Sequence, residues 1–287
     1  MAHTRAREAM DRILAGEPLD RRERAAGYNG GQGLPIREEV LARHGEAVVT
    51  RNSYGAHCLN TPDLLIADID FGTRASGRLL LVTFLGLFAI GMAAASTIGS
   101  TMAFVLGMLA VLVLTYPLAT ALAGIPRVLA GGHEGLARRR VRRAIEKRTG
   151  WAARLYRTPA GMRVIVTHAA FDPRSEETTS LFRELEVDPV YALMCRNQNC
   201  FRARLTAKPW RIGISRHLKP RSGSWPVPPE KLPARRAWIE QYETKAAGYA
   251  ACRFVGTVGK SHVAREVEGT LQLHDRLSGT GSDKPIA

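Results

Sequence analysis

Charge is missing from one long stretch of this sequence. Residues 79–126, between Arg78 and Arg127, contain no Asp, Glu, Lys or Arg. A core helix of a soluble protein seldom runs beyond about 20 residues without showing a charge to solvent. A helix crossing a bilayer needs about 20 apolar residues. The stretch holds two such lengths, so it predicts two membrane helices, roughly 79–97 and 102–124, joined by a tight polar turn around Ser96–Thr101. That turn has no Lys or Arg, whereas Arg127, Arg138, Arg139, Arg140, Arg142, Arg143, Lys147 and Arg148 follow closely behind the second helix. Basic residues near membrane ends stay on the cytoplasmic side. The expectation is a multi-pass inner-membrane protein with both termini cytoplasmic and the turn outside.

A second shortage is of acid in the later part of the chain. Residues 1–78 carry 11 Lys+Arg and 11 Asp+Glu, whereas residues 127–287 carry 30 basic and 15 acidic residues. The formal charge of +15 therefore belongs wholly to the part after the hairpin. Cysteine is also sparse: Cys58, Cys195, Cys200 and Cys252. In a cytoplasmic domain these are expected as reduced thiols. Cys195 and Cys200 form one C-x₄-C without a second close pair, so half-buried thiols are preferred to a zinc site. The first twenty residues contain no continuous apolar stretch of the length a signal peptide needs. No internal repeat and no long low-complexity tract is present.

What remains predicts an α+β cytoplasmic domain, with a mixed or antiparallel sheet and flanking helices, interrupted by the two-helix transmembrane hairpin. The expected divisions are an N-terminal helix and flexible linker (1–35), a first part of the domain (36–78), the hairpin (79–124), a basic second part (125–277) and a disordered tail (278–287). Within these, helices are expected at 3–14, 36–44, 134–148, 175–186, from Asp188-Pro189 onward, 234–242 and 262–276. Strands are expected at 46–51, 55–60, 63–71 and 247–255, with a β-hairpin around Thr158–Gly161 and an extended segment from Cys200. Because both ends of the hairpin return to one side, strands before and after it can pair in one sheet. Two independent domains are the alternative.

Four groups of residues could carry chemistry. In the strand DLLIADIDF, Asp68 and Asp70 stand at i and i+2, on one face. Two adjacent carboxylates repel unless a cation compensates. That cation is a divalent metal such as Mg²⁺ or Mn²⁺ or a nearby Arg, unless the pair, near a strand end, is simply solvated. Arg157 and Arg163, on the following β-hairpin, are candidate phosphate ligands, since a guanidinium pairs well with phosphate oxygens. His168, at the far end of that hairpin, reads as a surface or packed side chain. Arg202, Arg204, Lys208, Trp210 and Arg211 interleave basic and aromatic side chains, as nucleic-acid binders do. Arg138, Arg139, Arg142 and Arg143 lie beside the expected membrane and suit a lipid interface, at about 1 kcal/mol per basic residue near an anionic surface. Small residues in the first membrane helix (Gly86, Gly91, Ala93, Ala94, Ala95) permit close packing, within the hairpin or in a homo-oligomer.

The order of these motifs resembles the archaeo-eukaryotic primase (prim-pol) superfamily: Asp68-Ile69-Asp70 on a strand, a helical region, then a hairpin with Arg157-Thr158-Pro159-Ala160-Gly161. The resemblance covers residues 46–71 and 151–168. It implies metal binding by Asp68 and Asp70 and a nucleotide phosphate beside the hairpin. The family's histidine position holds Arg163 here, and its third carboxylate is expected on a later strand, where none is evident; Asp172 and Asp188 stand at helix starts and Asp275 within a helix. Three readings follow: a nucleotide- or nucleic-acid-binding membrane protein, a metal-dependent nucleotidyltransferase of primase type, and a non-enzymatic scaffold binding anionic lipid or an acidic protein partner.

Overall fold

The structure, a computed structural model, describes residues 38–72, 77–218 and 226–287, together with Arg7, Met10, Asp11 and residues 14–16. Most of the expected 3–14 helix, the linker behind it and part of the proline-rich loop after Ser215 lie outside the described residues.

Among the described residues, eight strands form two four-stranded antiparallel sheets. The first contains β1 (Glu39–His44), β2 (Ala47–Arg51), β3 (His57–Thr61) and β7 (Phe201–Arg204), in the order β1-β2-β3-β7. The second contains β4 (Ile66–Asp70), β5 (Ala152–Thr158), β6 (Gly161–Val166) and β8 (Arg253–Gly259), in the order β4-β6-β5-β8. Each sheet combines strands from before and after the hairpin, so sequence-distant strands do pair. The expected single sheet is corrected to two. Phe201 and Ala203 of β7 add to β3 (Thr61↔Phe201, Leu59↔Ala203), while β4 leaves that sheet and pairs with β6.

Two further expectations are corrected. Of the segment expected as a helix at 36–44, the described part from Glu39 onward is β1: Gly45, at φ 58°, allows a tight turn that folds it back onto β2, with His44 opposite Ala47. The tail expected to be disordered is anchored. Ala250 N–H donates to the Pro285 carbonyl at 3.0 Å and Ala287 N–H to the Ala250 carbonyl at 3.0 Å, and Ala287 is buried.

Helices α1 (Gly77–Ile98) and α2 (Thr101–Leu129) lie against each other, joined by two residues. Both are long and apolar enough to cross a membrane. Little else covers them: Leu81, Val82, Ile90, Leu112 and Val113 are all more than half exposed. Apolar surface costs about 25 cal/mol per Å² in water, so a hairpin this bare is suited to an apolar solvent. The chain leaves the second sheet at β4 and re-enters it through α3 (Gly132–Glu146), which packs on β6 and β8. Both ends of the hairpin therefore meet the same domain.

The core follows from side-chain alternation. Ala137, Val141, Ala144 and Ile145 form the buried stripe of α3, at helical spacing. All six residues of β6 are buried, as befits the central strand of a sheet covered on both faces. Helix α4 (Glu176–Leu185) starts at Ser175, whose hydroxyl accepts from Thr178 N–H. Helix α5 (Pro189–Gln198) starts at Asp188, with Pro189 in the first turn. Helices α6 (Leu232–Ala246) and α7 (Arg265–Ser278) complete the domain. The Tyr191 hydroxyl lies 2.8 Å from the Ile66 carbonyl on β4 and 2.9 Å from the Arg202 carbonyl on β7. It ties the two sheets together at the edge of the cleft described next.

Candidate anion-binding cleft

A cleft of about 310 Å³ opens at the seam between the sheets. Its walls come from the end of β4, the β5–β6 turn, the start of α5, and β7 with the segment after it. Residues expected to act separately, the Asp68/Asp70 pair and the basic run from Arg202, are thus brought to one place.

Asp68 faces Arg163 directly across the β4–β6 ladder. Arg163 Nε donates to Asp68 Oδ1 at 2.8 Å and Nη2 to Oδ2 at 3.3 Å. Its Nη1 donates to the Arg204 carbonyl at 3.0 Å and lies 3.1 Å from His274 Nε2. With 1% of its surface exposed, Arg163 has committed its guanidinium within the protein and has little left for a phosphate. Burial alone would lower its pKa, but Asp68 outweighs burial and the net shift is upward, so it stays charged. Burial holds the His274 imidazole below its ordinary value despite Asp275. A neutral ring suits this place: Nε2 accepts from Arg163 while Nδ1–H donates to Asp275 Oδ1 at 3.0 Å. Of the two ways to compensate Asp68, the arginine is the one observed.

Asp70 has no such partner among the described residues. Opposite it on β6 is Gly161, where a Cβ would run into the Ile69 carbonyl, so the hairpin can close here only around glycine. Burial, then Asp68, then Asp188 push the Asp70 carboxyl above its ordinary pKa, against the pull of Lys208 and Arg211.

The opposite wall is basic. Along β7, Phe201 and Ala203 point inward while Arg202 and Arg204 share the other face. Arg202 is engaged with Glu38, its Nη2 donating at 2.7 and 2.6 Å to the two carboxylate oxygens. Lys208 precedes a short 3₁₀ turn, Pro209–Arg211, that carries Arg211 back toward the cleft. Arg204 Nε and Nη1 and Arg211 Nη1 are buried and find no hydrogen-bond partner among the described residues. Burial first, then Arg204 and Arg211, lower the Lys208 pKa; burial and Arg204 do the same to Arg211. Buried donors without acceptors, on cations that repel one another, are costly, and an anion is the complementary partner for them.

Other expected residues stand elsewhere. Arg157 lies outside the cleft: its guanidinium sits 4.6 Å over the Phe71 ring, Nη1 donates to the Gly161 carbonyl at 3.2 Å, and Nε is 3.6 Å from Glu134. Trp210 packs edge-on against Tyr54, at 5.2 Å between centroids, and only Tyr54 borders the cleft. Arg138, Arg139, Arg142 and Arg143 are on α3, away from the cleft. His168 packs against Trp151 at 4.5 Å. All four cysteines are free thiols, with Cys58, Cys195 and Cys252 buried; burial pushes Cys195 up to about 12.

Asp188 belongs to the cleft and was not evident as a site residue. Its Oδ1 accepts from Val190 N–H at 2.6 Å and Tyr191 N–H at 3.1 Å, as the Asp-Pro helix start implies. The same carboxyl borders the cleft and acts on Asp70. The sequence carried a signal for the cap and none for the proximity. Asp68, Asp70 and Asp188 do not converge closely enough for a metal: among the described residues no group of three His, Cys, Asp or Glu could hold one. With Asp68 already clamped by Arg163, the residues as arranged do not fit a metal ion held by protein ligands alone. Comparison of the chain with protein-family models, with curated proteins and with solved structures finds no match in any of the three.

Proposed function

We propose that this protein is a membrane-anchored domain on the cytoplasmic face of an inner membrane, and that its cleft binds the phosphates of a nucleotide. One observation carries the reading: Arg204 and Arg211 present buried, unpartnered donors beside Lys208 in a cleft. Such a constellation is complementary to phosphate oxygens, which accept several charge-assisted hydrogen bonds at once. The cleft is at the small end of ligand pockets, which favours the phosphates of one nucleotide over a tract of nucleic acid. Tyr54 offers a ring at its rim. The neighbouring Asp-x-Asp strand and R-T-P-A-G hairpin are the features that resemble the primase superfamily. The test is binding of a fluorescent ATP analogue to the detergent-solubilised full chain at low ionic strength. Saturable binding that weakens with salt is expected; no binding at low salt would refute the reading.

A second reading is a metal-dependent nucleotidyltransferase of primase type; Asp188 is a third carboxylate bordering the same cleft, but as arranged it does not join Asp68 and Asp70 in a group able to hold an ion. This reading demands that Asp70 be needed for Mg²⁺- or Mn²⁺-dependent primer extension. Extension that survives Asp70→Ala would end it.

A further inference from the structure

The end of the hairpin carries a second basic pocket, unrelated to the cleft. Helix α2 has 29 residues against 22 in α1. At about 1.5 Å per residue, the excess carries its end roughly 10 Å past the start of α1. The polar layer of each leaflet is about 5–8 Å deep. If α1 fills the hydrocarbon layer, Leu129 at the end of α2 reaches the headgroups. There the chain reverses through Gly131 and Gly132, at φ 80° and 92°, and α3 doubles back. Arg139 closes the corner, its Nη2 donating to the Leu129 carbonyl at 2.9 Å.

Between α2 and α3 lies a pocket of about 570 Å³, with Pro126, Leu129 and Ala130 on one side and, on the other, Arg139, Arg140, Arg143 and Lys147 together with the two carboxylates Glu184 and Glu186. Arg139 and Arg143, one turn apart, share its basic side. Other charges of the neighbourhood are matched. Glu184 is 2.5 Å from Lys147 and 2.6 Å from Arg148, Glu186 is 2.8 Å from Arg140, Arg138 pairs with Glu134 at 2.8 Å, and Arg142 with Glu146 at 3.6 Å. No carboxylate among the described residues pairs with Arg139 or Arg143. Leu129 beside them is 71% exposed. Free phosphate would use only the arginines. An amphiphile uses both walls.

We infer that this pocket takes the phosphate of an anionic lipid headgroup, held by Arg139 and Arg143, with the lipid's glycerol and upper chain against Pro126 and Leu129. The inference rests on the hairpin lying in a bilayer, not on the cleft's ligand. The lipid fixes α3, and with it the sheet that α3 covers, against the membrane surface.

The test uses the full chain in non-ionic detergent, with bound phosphatidylglycerol followed by native mass spectrometry. The wild type should retain phosphatidylglycerol over phosphatidylcholine. R139Q/R143Q should retain it about thirtyfold less well, whereas R138Q/R142Q and R204Q/R211Q should match the wild type. Circular dichroism confirms that each variant is folded. Equal retention by R139Q/R143Q would overturn the proposal. So would displacement of the lipid by millimolar inorganic phosphate, which would mark a free-phosphate site. Flotation with neutral vesicles tests the hairpin separately: a chain that stays with the soluble fraction would remove the bilayer itself and leave the cleft unaffected.

Discussion

Two clusters of guanidinium groups flank the first sheet, and they differ in what faces them. On one side, Arg51 Nη1 donates to Glu243 Oε1 at 2.8 Å and its Nε lies 3.3 Å from Glu39, which also takes Arg235 at 2.8 Å. His57 Nε2 sits 2.8 Å from the same Glu243 oxygen. Burial opposes ionisation of Glu243, but His57 and Arg51 outweigh it and its pKa falls below the ordinary value. On the other side, Arg204, Lys208 and Arg211 face a cleft bordered by Asp70, which forms no ion pair among the described residues. The first cluster has carboxylates facing its guanidinium groups, although Arg51 Nε is itself a buried donor without a hydrogen bond. The second cluster is an unfinished one, which is what the proposed anion would complete. Basic residues alone do not mark a site; basic residues without a matching acid do.

The largest effect should come from breaking a closed pair. Arg163→Met leaves Asp68, with its side chain 38% exposed, without its cation, at a cost of about 3 kcal/mol after discounting for that solvation, measured as a fall in thermal stability in detergent. Adding Asp68→Leu should recover much of the loss. If R163M alone is as stable as the wild type, the pair is not the structural element described here.

Breaking the unfinished cluster should do the reverse. Arg204→Gln with Arg211→Gln should weaken nucleotide binding by a factor on the order of 100, at about 1.5–3 kcal/mol per charge-assisted bond, with thermal stability unchanged or slightly raised. A destabilised variant that still binds would place these arginines with the first cluster.

Asp70 sharpens the contrast further. Its carboxylate opposes an anion, so Asp70→Asn should tighten metal-free nucleotide binding about three- to tenfold at low salt, and less as salt screens the cleft. The pH dependence has a definite sign. The pKa of Asp70 is raised, so the negative charge is lost on acidification at a higher pH than for an ordinary carboxyl. Wild-type binding should therefore strengthen as pH falls and converge on that of D70N. Binding to both that falls in parallel would contradict this.

Much of the architecture was legible because it rests on local chemistry. The uncharged stretch gives α1 and α2, Ser175 and Asp188-Pro189 open α4 and α5, and Gly161 closes the β5–β6 hairpin. Where the sequence reading failed, non-local pairing decided the outcome. Residues 39–44 have an apolar pattern compatible with a helix, and only the turn at Gly45 and the neighbouring β2 make them a strand. The assembly of the cleft was hidden for the same reason. Arg163 and Asp68 are 95 residues apart and Arg51 and Glu243 are 192 apart, so no spacing rule reveals which arginines are spent. Chain order also could not show that Asp188 and Asp70 border one space.

A smaller effect concerns the network under α3. Bonds from Arg148, and from Lys147, hold the Glu184 pKa at about 2. Since the folded value is depressed, the pair's stabilisation is present above about pH 4.5, the usual glutamate range. It is lost as pH falls toward 2. With Glu184 partly solvated, Glu184→Gln should cost about 1 kcal/mol or less at neutral pH and nothing at the acid end, seen as a flatter acid-unfolding curve.

The cleft is tested most directly by calorimetric titration of pyrophosphate into the solubilised wild type and R204Q/R211Q under identical low-salt conditions. Saturable one-site binding by the wild type, lost in the folded variant, is the expected result. Equal heats from both proteins would mean that the unpartnered donors of Arg204 and Arg211 are not an anion site.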